Sequence, residues 1–339
     1  MNTSARRVAA IDCGTNSIRL LIADVSEGRL TDIERQMRVV RLGQGVDATG
    51  EFAADALERT FAATDEYATL IRQHGAERIR FVATSASRDV RNRAAFVDGI
   101  RERLGVEPDV IPGEEEAALS FAGAASVLSS TSVLSDSDSA VAGSASNGSA
   151  GPTLVVDLGG GSTEFVVGEL AGPAQSSPRV LGAVSVPLGC VRFTERYLHS
   201  DPPSSQEIAA AQVQARQIID TVAQQVPLAS VRQLVGVAGT VTTITAHALG
   251  LPSYQPESIH GATVSVSGVE RAAGELLAMN RAQRAELPFM HPGRVDVIGA
   301  GALLWSIIVD EVAQRTGGRV TTVTSSEHDI LDGIALAIG

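Results

Sequence analysis

Two stretches of this chain repeat one pattern, and the repeat limits the possible folds more than any other feature. Residues 8–25, VAAIDCGTNSIRLLIADV, and residues 153–170, TLVVDLGGGSTEFVVGEL, both run apolar strand, Asp-x-Gly-x-x-Ser, apolar strand. At an offset of 145 residues Asp12 falls on Asp157, Gly14 on Gly159 and Ser17 on Ser162. The apolar flanks match as well as the loops, so the pattern predicts two β-hairpins, each opening one of two similar lobes. A length of 339 residues exceeds what one compact core usually holds, which agrees with two domains.

Strand and helix patterns alternate after each hairpin. Leu57, Phe61, Ala68 and Ile71 recur at helical spacing, with Gly75 as the stop. RIRFVATSASR reads as a strand entering a loop, and VEPDVIPGEEEAALSFAGAA as a strand, a Pro-Gly turn and a helix from near Glu114. Ser204 and Glu207 form a capping box. RQLVGVAGTVTTITAHALG reads as strand, glycine turn and helix. VDVIGAGALLWSIIVDEVAQRTG reads as a buried helix, and RVTTVTSSEHDILDGIALAIG as a strand and closing helix. This order predicts an α/β fold with two related lobes. Residues 126–152 are serine-rich and of low complexity, the composition of a mobile insertion.

Aromatics make up only 4% of the chain, so its core must rest on Val, Ile, Leu and Ala. A formal net charge of -12 argues against nucleic-acid or anionic-membrane binding. Cys13 and Cys190 match no metal spacing, and neither do the six histidines; a reducing compartment is expected. Cys13, among apolar neighbours and without an activating base, reads as a small core residue. No signal-peptide pattern or membrane-length apolar run stands out, so a cytoplasmic location is expected.

The glycine turns suggest the chemistry. A turn rich in Gly leaves main-chain N–H groups bare and lets an anion approach closely. Gly14, Gly159, Gly160 and Gly161 supply the turns; Thr15, Asn16, Ser17, Ser162 and Thr163 add polar donors. Asp12 and Asp157 sit at the strand ends beside them. A carboxylate next to phosphate is sensible mainly with a divalent cation between them, and Mg²⁺ takes one or two carboxylates plus phosphate oxygens. One such Asp could equally cap its own turn; two matched copies favour a phosphate cleft. Gly239 and Thr240, in VGVAGTVTT, put a helix start at the same ligand or merely turn the chain. Glu164, on the strand leaving the second loop, is either an exposed strand residue or a second acid in the cleft.

These elements resemble the exopolyphosphatase/guanosine-pentaphosphate phosphatase family, within the actin and sugar kinase superfamily. AAIDCGTNSIRLLIADV and VVDLGGGSTEFVVG are similar to its two phosphate motifs; FVATSASRDVRN, IPGEEEAALSF and RVDVIGAGALLW follow in the family's order. The resemblance implies two actin-like (ribonuclease H-like) lobes with a cleft between them. The expected division is 1–114 plus 327–339 for the first lobe and 115–326 for the second. By spacing alone Glu114, Glu115 and Glu116 are acids suited to a helix start; the resemblance makes Glu116, directly before Ala117, the general base. It also implies Arg88 as a phosphate ligand, with Arg294 as a further candidate, Asp157 and then Asp12 as metal ligands, and Mg²⁺ or Mn²⁺ as cofactor. Arg91 and Arg93 read as a solvated face. The implied activity is hydrolysis of terminal phosphate from inorganic polyphosphate, with guanosine pentaphosphate as the rival substrate and a homodimer as the implied assembly. A kinase of the same superfamily and a non-catalytic binding module are the other readings. Longer members carry further helical domains, so a two-domain chain is expected to favour short polyphosphate.

Overall fold

Each hairpin lies inside its own sheet, with strands paired on both sides of it. The computed structural model describes residues 5–134, 151–170 and 178–339. In the first sheet β1 (Arg6–Cys13), β2 (Ser17–Ser26), β3 (Arg29–Val39), β4 (Arg78–Ala83) and β5 (Asp109–Val110) run in the order β3-β2-β1-β4-β5. In the second, β6 (Thr153–Leu158), β7 (Thr163–Glu169), β8 (Arg179–Val186), β9 (Gln233–Val237), β10 (Thr263–Ser265) and β11 (Thr322–Ser325) run in the order β10-β11-β9-β6-β7-β8. The first three strands of each lobe are antiparallel, and β1–β4 and β6–β9 pair in parallel. The repeat therefore extends over four strands, β3-β2-β1-β4 corresponding to β8-β7-β6-β9. The third strands, β3 and β8, are additions to the sequence reading. β3 is polar and half exposed, so its apolar signal is weak, whereas β8, RVLGAVSV, is apolar with its first residues exposed.

Every residue of β6 is buried, as is β1 from Val8 onward, because helices cover both faces of each sheet. Ala9 and Ile11 of β1 meet Tyr67 and Ile71 of helix Ala54–His74 and Phe96 of helix Arg93–Leu104. Val8 and Ala10, on the other face, meet Ile330 and Ile334 of the closing helix, Ile330–Ile338. Val155 and Val166 pack on Phe121 of helix Gly113–Leu134. Leu154 and Val156 pack into the large core built with helices Ser205–Gln225, Ala238–Ala248 and Ile298–Arg315.

Two expectations need adjustment. Helix Ala54–His74 stops at Gly75 as expected, but its buried face runs through Ala56, Thr60, Ala63 and Tyr67, with Leu57 and Phe61 at its edge. The helix starting at Gly113 continues to Leu134, past the expected start of the serine-rich insertion; residues 135–150 lie outside the described residues. This helix crosses the closing helix at two glycines. A Cβ on Gly123 would strike the Asp329 carbonyl, and one on Gly333 the Leu119 carbonyl. Among the described residues no helix is long and apolar enough to cross a membrane.

Candidate active site

The two hairpin loops are built alike and meet face to face. Gly14 N–H donates to the Ser17 carbonyl at 2.9 Å, and Gly159 N–H to the Ser162 carbonyl at 3.0 Å. The loop carbonyls are pinned from behind. Thr15 O accepts from Gly43 N, and Asn16 O from Val40 N and Arg41 N. Gly159 O accepts from Cys190 N, Gly160 O from Val191 N and Arg192 N, and Gly161 O from Arg192 Nε at 2.8 Å. In a planar trans peptide the next N–H points opposite the carbonyl. The amides of Gly160, Gly161 and Ser162 are thereby turned from this backing toward the cavity that these residues line. A Cβ on Gly160 would lie 3.0 Å from Thr15 Cβ, and one on Gly161 2.5 Å from Thr15 Oγ1 and against Ser85 Oγ. The glycines are thus required by the opposing lobe as well as by any anion.

Between the loops lies a cavity of about 100 Å³. It gathers Asp12, Gly14, Thr15, Asn16, Ser17, Glu116, Asp157, Gly159, Gly160, Gly161, Ser162, Glu164, Gly239, Thr240 and Arg294, which lie scattered between positions 12 and 294. Helix Ala238–Ala248 points its first turn at this cavity, and the Arg294 guanidinium lies so close over Gly239 that no Cβ fits there. Arg88 is not among the lining residues. Its Nε donates to the Ile111 carbonyl at 3.0 Å and its Nη2 pairs with Glu116. Arg91 pairs with Glu51 at the surface and Arg93 donates to the Arg88 carbonyl. Cys13 is fully buried.

The cavity floor is an excess of buried acid. Asp157 and Glu164 face each other across β6 and β7, and Ser185 faces Glu164 across β7 and β8. Ser120 donates to Asp157 at 2.6 Å; Ser162 and Ser185 both donate to Glu164 Oε1, at 2.8 and 2.7 Å. Burial, with Asp329 and Glu164 nearby, pushes Asp157 up to about 8. Burial pushes Glu164 up to about 7 against the pull of its two hydroxyl donors. Glu116 is raised well above the usual range by burial and by Glu164, with Arg88 opposing. Asp12 is also raised, chiefly by burial, although Arg19 donates to it at 3.0 and 2.7 Å. Crowded, desolvated carboxylates beside bare amides and hydroxyls form a hard-oxygen set short of positive charge, which fits a divalent cation shared with phosphate oxygens. Among the described residues no group of three or more His, Cys, Asp or Glu side chains forms a self-sufficient metal site, so substrate and water oxygens would have to complete the shell.

Several of these groups escaped the sequence reading. Arg19 bridges Asp12 and Asp329, the residue that caps the closing helix. The repeat itself carried the signal for Arg19, because the same offset of 145 lays it on Glu164. Asp329 and Asp332 have capping-box spacing before an apolar run, a pattern that by itself marks only a helix start. Ser120 and Ser185 carried no signal, since a serine on a helix or strand is ordinary.

Solved structures share this fold. One described as an exopolyphosphatase-like protein superposes with a TM-score of 0.88 at 43% identity, over 99% of this chain and 98% of that one. An Aquifex aeolicus member of the Ppx/GppA family superposes with a TM-score of 0.73 at 26% identity, over 98% and 97%. The fold is thus of the two-domain actin-like class. Exopolyphosphatase 2 of Mycobacterium tuberculosis is 47% identical over 342 residues, 98% of each chain. A guanosine-5'-triphosphate,3'-diphosphate pyrophosphatase of Photobacterium profundum is 30% identical over 236 residues, 70% of this chain and 42% of that one. With residues 21–135 and 137–336 matching, the chain belongs to the Ppx/GppA phosphatase family.

Proposed function

We propose that this chain is an exopolyphosphatase, a phosphoanhydride hydrolase that releases orthophosphate from the end of inorganic polyphosphate. One observation carries the reading: two matched amide loops face each other across a small cavity whose floor holds Asp157, Glu164 and Glu116. Phosphoryl transfer is mostly positioning and charge stabilisation, and this arrangement offers both. The amides of Gly160, Gly161 and Ser162, with Asn16, Ser17 and Thr240, hold the terminal phosphate. Arg294 adds a cation at the cavity wall. Glu116 accepts the proton of the attacking water, and the pairing with Arg88 favours its ionised form. The new bond joins water oxygen to phosphorus, the bridging P–O bond breaks, and the shortened chain leaves with the bridging oxygen. Glu164, held by two hydroxyls on one oxygen, orients the same water. Asp157, with Asp12 behind it, would hold Mg²⁺ or Mn²⁺, which when bound neutralises charge on the phosphate oxygens.

A second reading, guanosine pentaphosphate 5'-phosphohydrolase, is favoured by one feature. A cavity of about 470 Å³ adjoins the first, sharing Arg19, Gly239 and Arg294 with it, and is walled by Tyr254, Phe289 and Met290. That space suits a nucleoside attached to a phosphate chain. Phosphate release from tripolyphosphate, longer polyphosphate and guanosine pentaphosphate, with and without Mg²⁺, decides between the two. Release from polyphosphate that requires the metal supports the first reading. Release from the nucleotide alone replaces it with the second.

A further inference from the structure

The segments that back the two phosphate loops also hold each other. In the first lobe residues 40–43 pin the carbonyls of Thr15 and Asn16. In the second lobe residues 190–192 pin the carbonyls of Gly159, Gly160 and Gly161. Immediately beyond, Asp47 of the first backing segment pairs with both Arg192 and Arg196 of the second. Glu195 accepts from Gly45 N–H at 3.1 Å. Arg192 is the shared part: its Nε edge is on the Gly161 carbonyl, while Nη1 is on Asp47 of the opposite lobe. One planar guanidinium that serves both ties the second glycine loop to the opposite lobe. Asp47 and Arg192 are largely shielded, with side chains 18% and 23% exposed, whereas Arg196 is half exposed at 49%.

We propose that Arg192 and Asp47 are positioning residues for phosphate transfer. They lie outside the first cavity and set how far apart its two amide loops stand. The inference rests on reading that cavity as the phosphate site. Lys at position 192 keeps a charge for Asp47 but has no Nε–H edge to hold Gly161. Ala at position 47 leaves Gly161 held and releases the other lobe. Glu at position 47 retains the carboxylate.

The test uses the whole chain and two measurements. The first is steady-state hydrolysis of tripolyphosphate by wild type, Arg192→Lys, Asp47→Ala and Asp47→Glu. A displaced loop costs catalysis on the order of 10- to 100-fold. Arg192→Lys should therefore lose kcat/KM on that scale, largely in kcat. Asp47→Ala should lose kcat/KM roughly tenfold, with a larger share in KM than for Arg192→Lys, because each loop is intact but the two stand further apart. Asp47→Glu should recover most of that loss. The second is hydrogen exchange at amides 190–192, whose protons rest on the glycine carbonyls; it should quicken in Arg192→Lys and needs no turnover. Wild-type kinetics in both Arg192→Lys and Asp47→Ala, with unchanged exchange, overturns the inference. A wild-type chain that hydrolyses nothing sinks the reading of the cavity instead, and the exchange measurement then judges the clasp alone.

Discussion

Single residues decide whether the cavity works. Glu116→Gln keeps shape and removes the proposed proton acceptor. Loss of a general base costs roughly 10²- to 10⁴-fold, so turnover of tripolyphosphate should fall by that order while its affinity stays within roughly tenfold. Near-normal turnover would remove Glu116 from the role. Ala238 raises a different matter. It begins the helix facing both cavities at φ 71, a left-handed conformation that a Cβ makes unfavourable. Ala238→Gly should relieve that strain, partly offset by the added freedom of the unfolded chain, for a net gain of up to about 1 kcal/mol. Chemical denaturation of both proteins measures it, and a less stable glycine variant would show that the strain is not there.

At the scale of elements, the crossing of helix Gly113–Leu134 with the closing helix joins the sheets. The first of these packs on β6, β7 and β8, and the second on β1, β2 and β4. Backbone meets backbone where they cross, so a methyl group has nowhere to move. Gly333→Ala should destabilise the protein by about 1–3 kcal/mol through overpacking. A melting temperature equal to wild type would show that the crossing has slack. Both helices could be read from the sequence, one from its Pro-Gly start and three glutamates, the other from Asp329 and its apolar run. Their contact could not, because a glycine within a helix pattern does not say what passes over it.

For the whole molecule, the buried acids make stability depend on pH. Asp157 stands at about 8 in the fold against an ordinary 3.8, and Glu164 at about 7 against 4.5. Between those values the folded chain holds protons that the unfolded chain has released. Their contribution is therefore fully present at low pH and lost as pH rises through the folded values. The metal-free protein should show this loss between about pH 4 and pH 8, and Asp157→Asn should flatten it. Thermal melts of the two proteins in chelator check this, and parallel curves would refute it. If Asp157 holds Mg²⁺ as proposed, the metal needs the ionised acid, so added Mg²⁺ should raise the melting temperature more at about pH 8 than at about pH 5.

The sequence alone determined the two-lobed plan, the paired loops and most of the cavity's residues, because each leaves a local mark: apolar runs, glycine turns, an Asp at a strand end. The tertiary structure decided the rest. Arg88 pairs with Glu116, Arg19 joins Asp12 to Asp329, and Ser120 and Ser185 reach the acids. Asp47 closes on Arg192 across the lobes. Each of these depends on which partners are brought within hydrogen-bond range. Charge and hydroxyl pairs have no periodicity along a chain, so only the packing of one lobe against the other selects them.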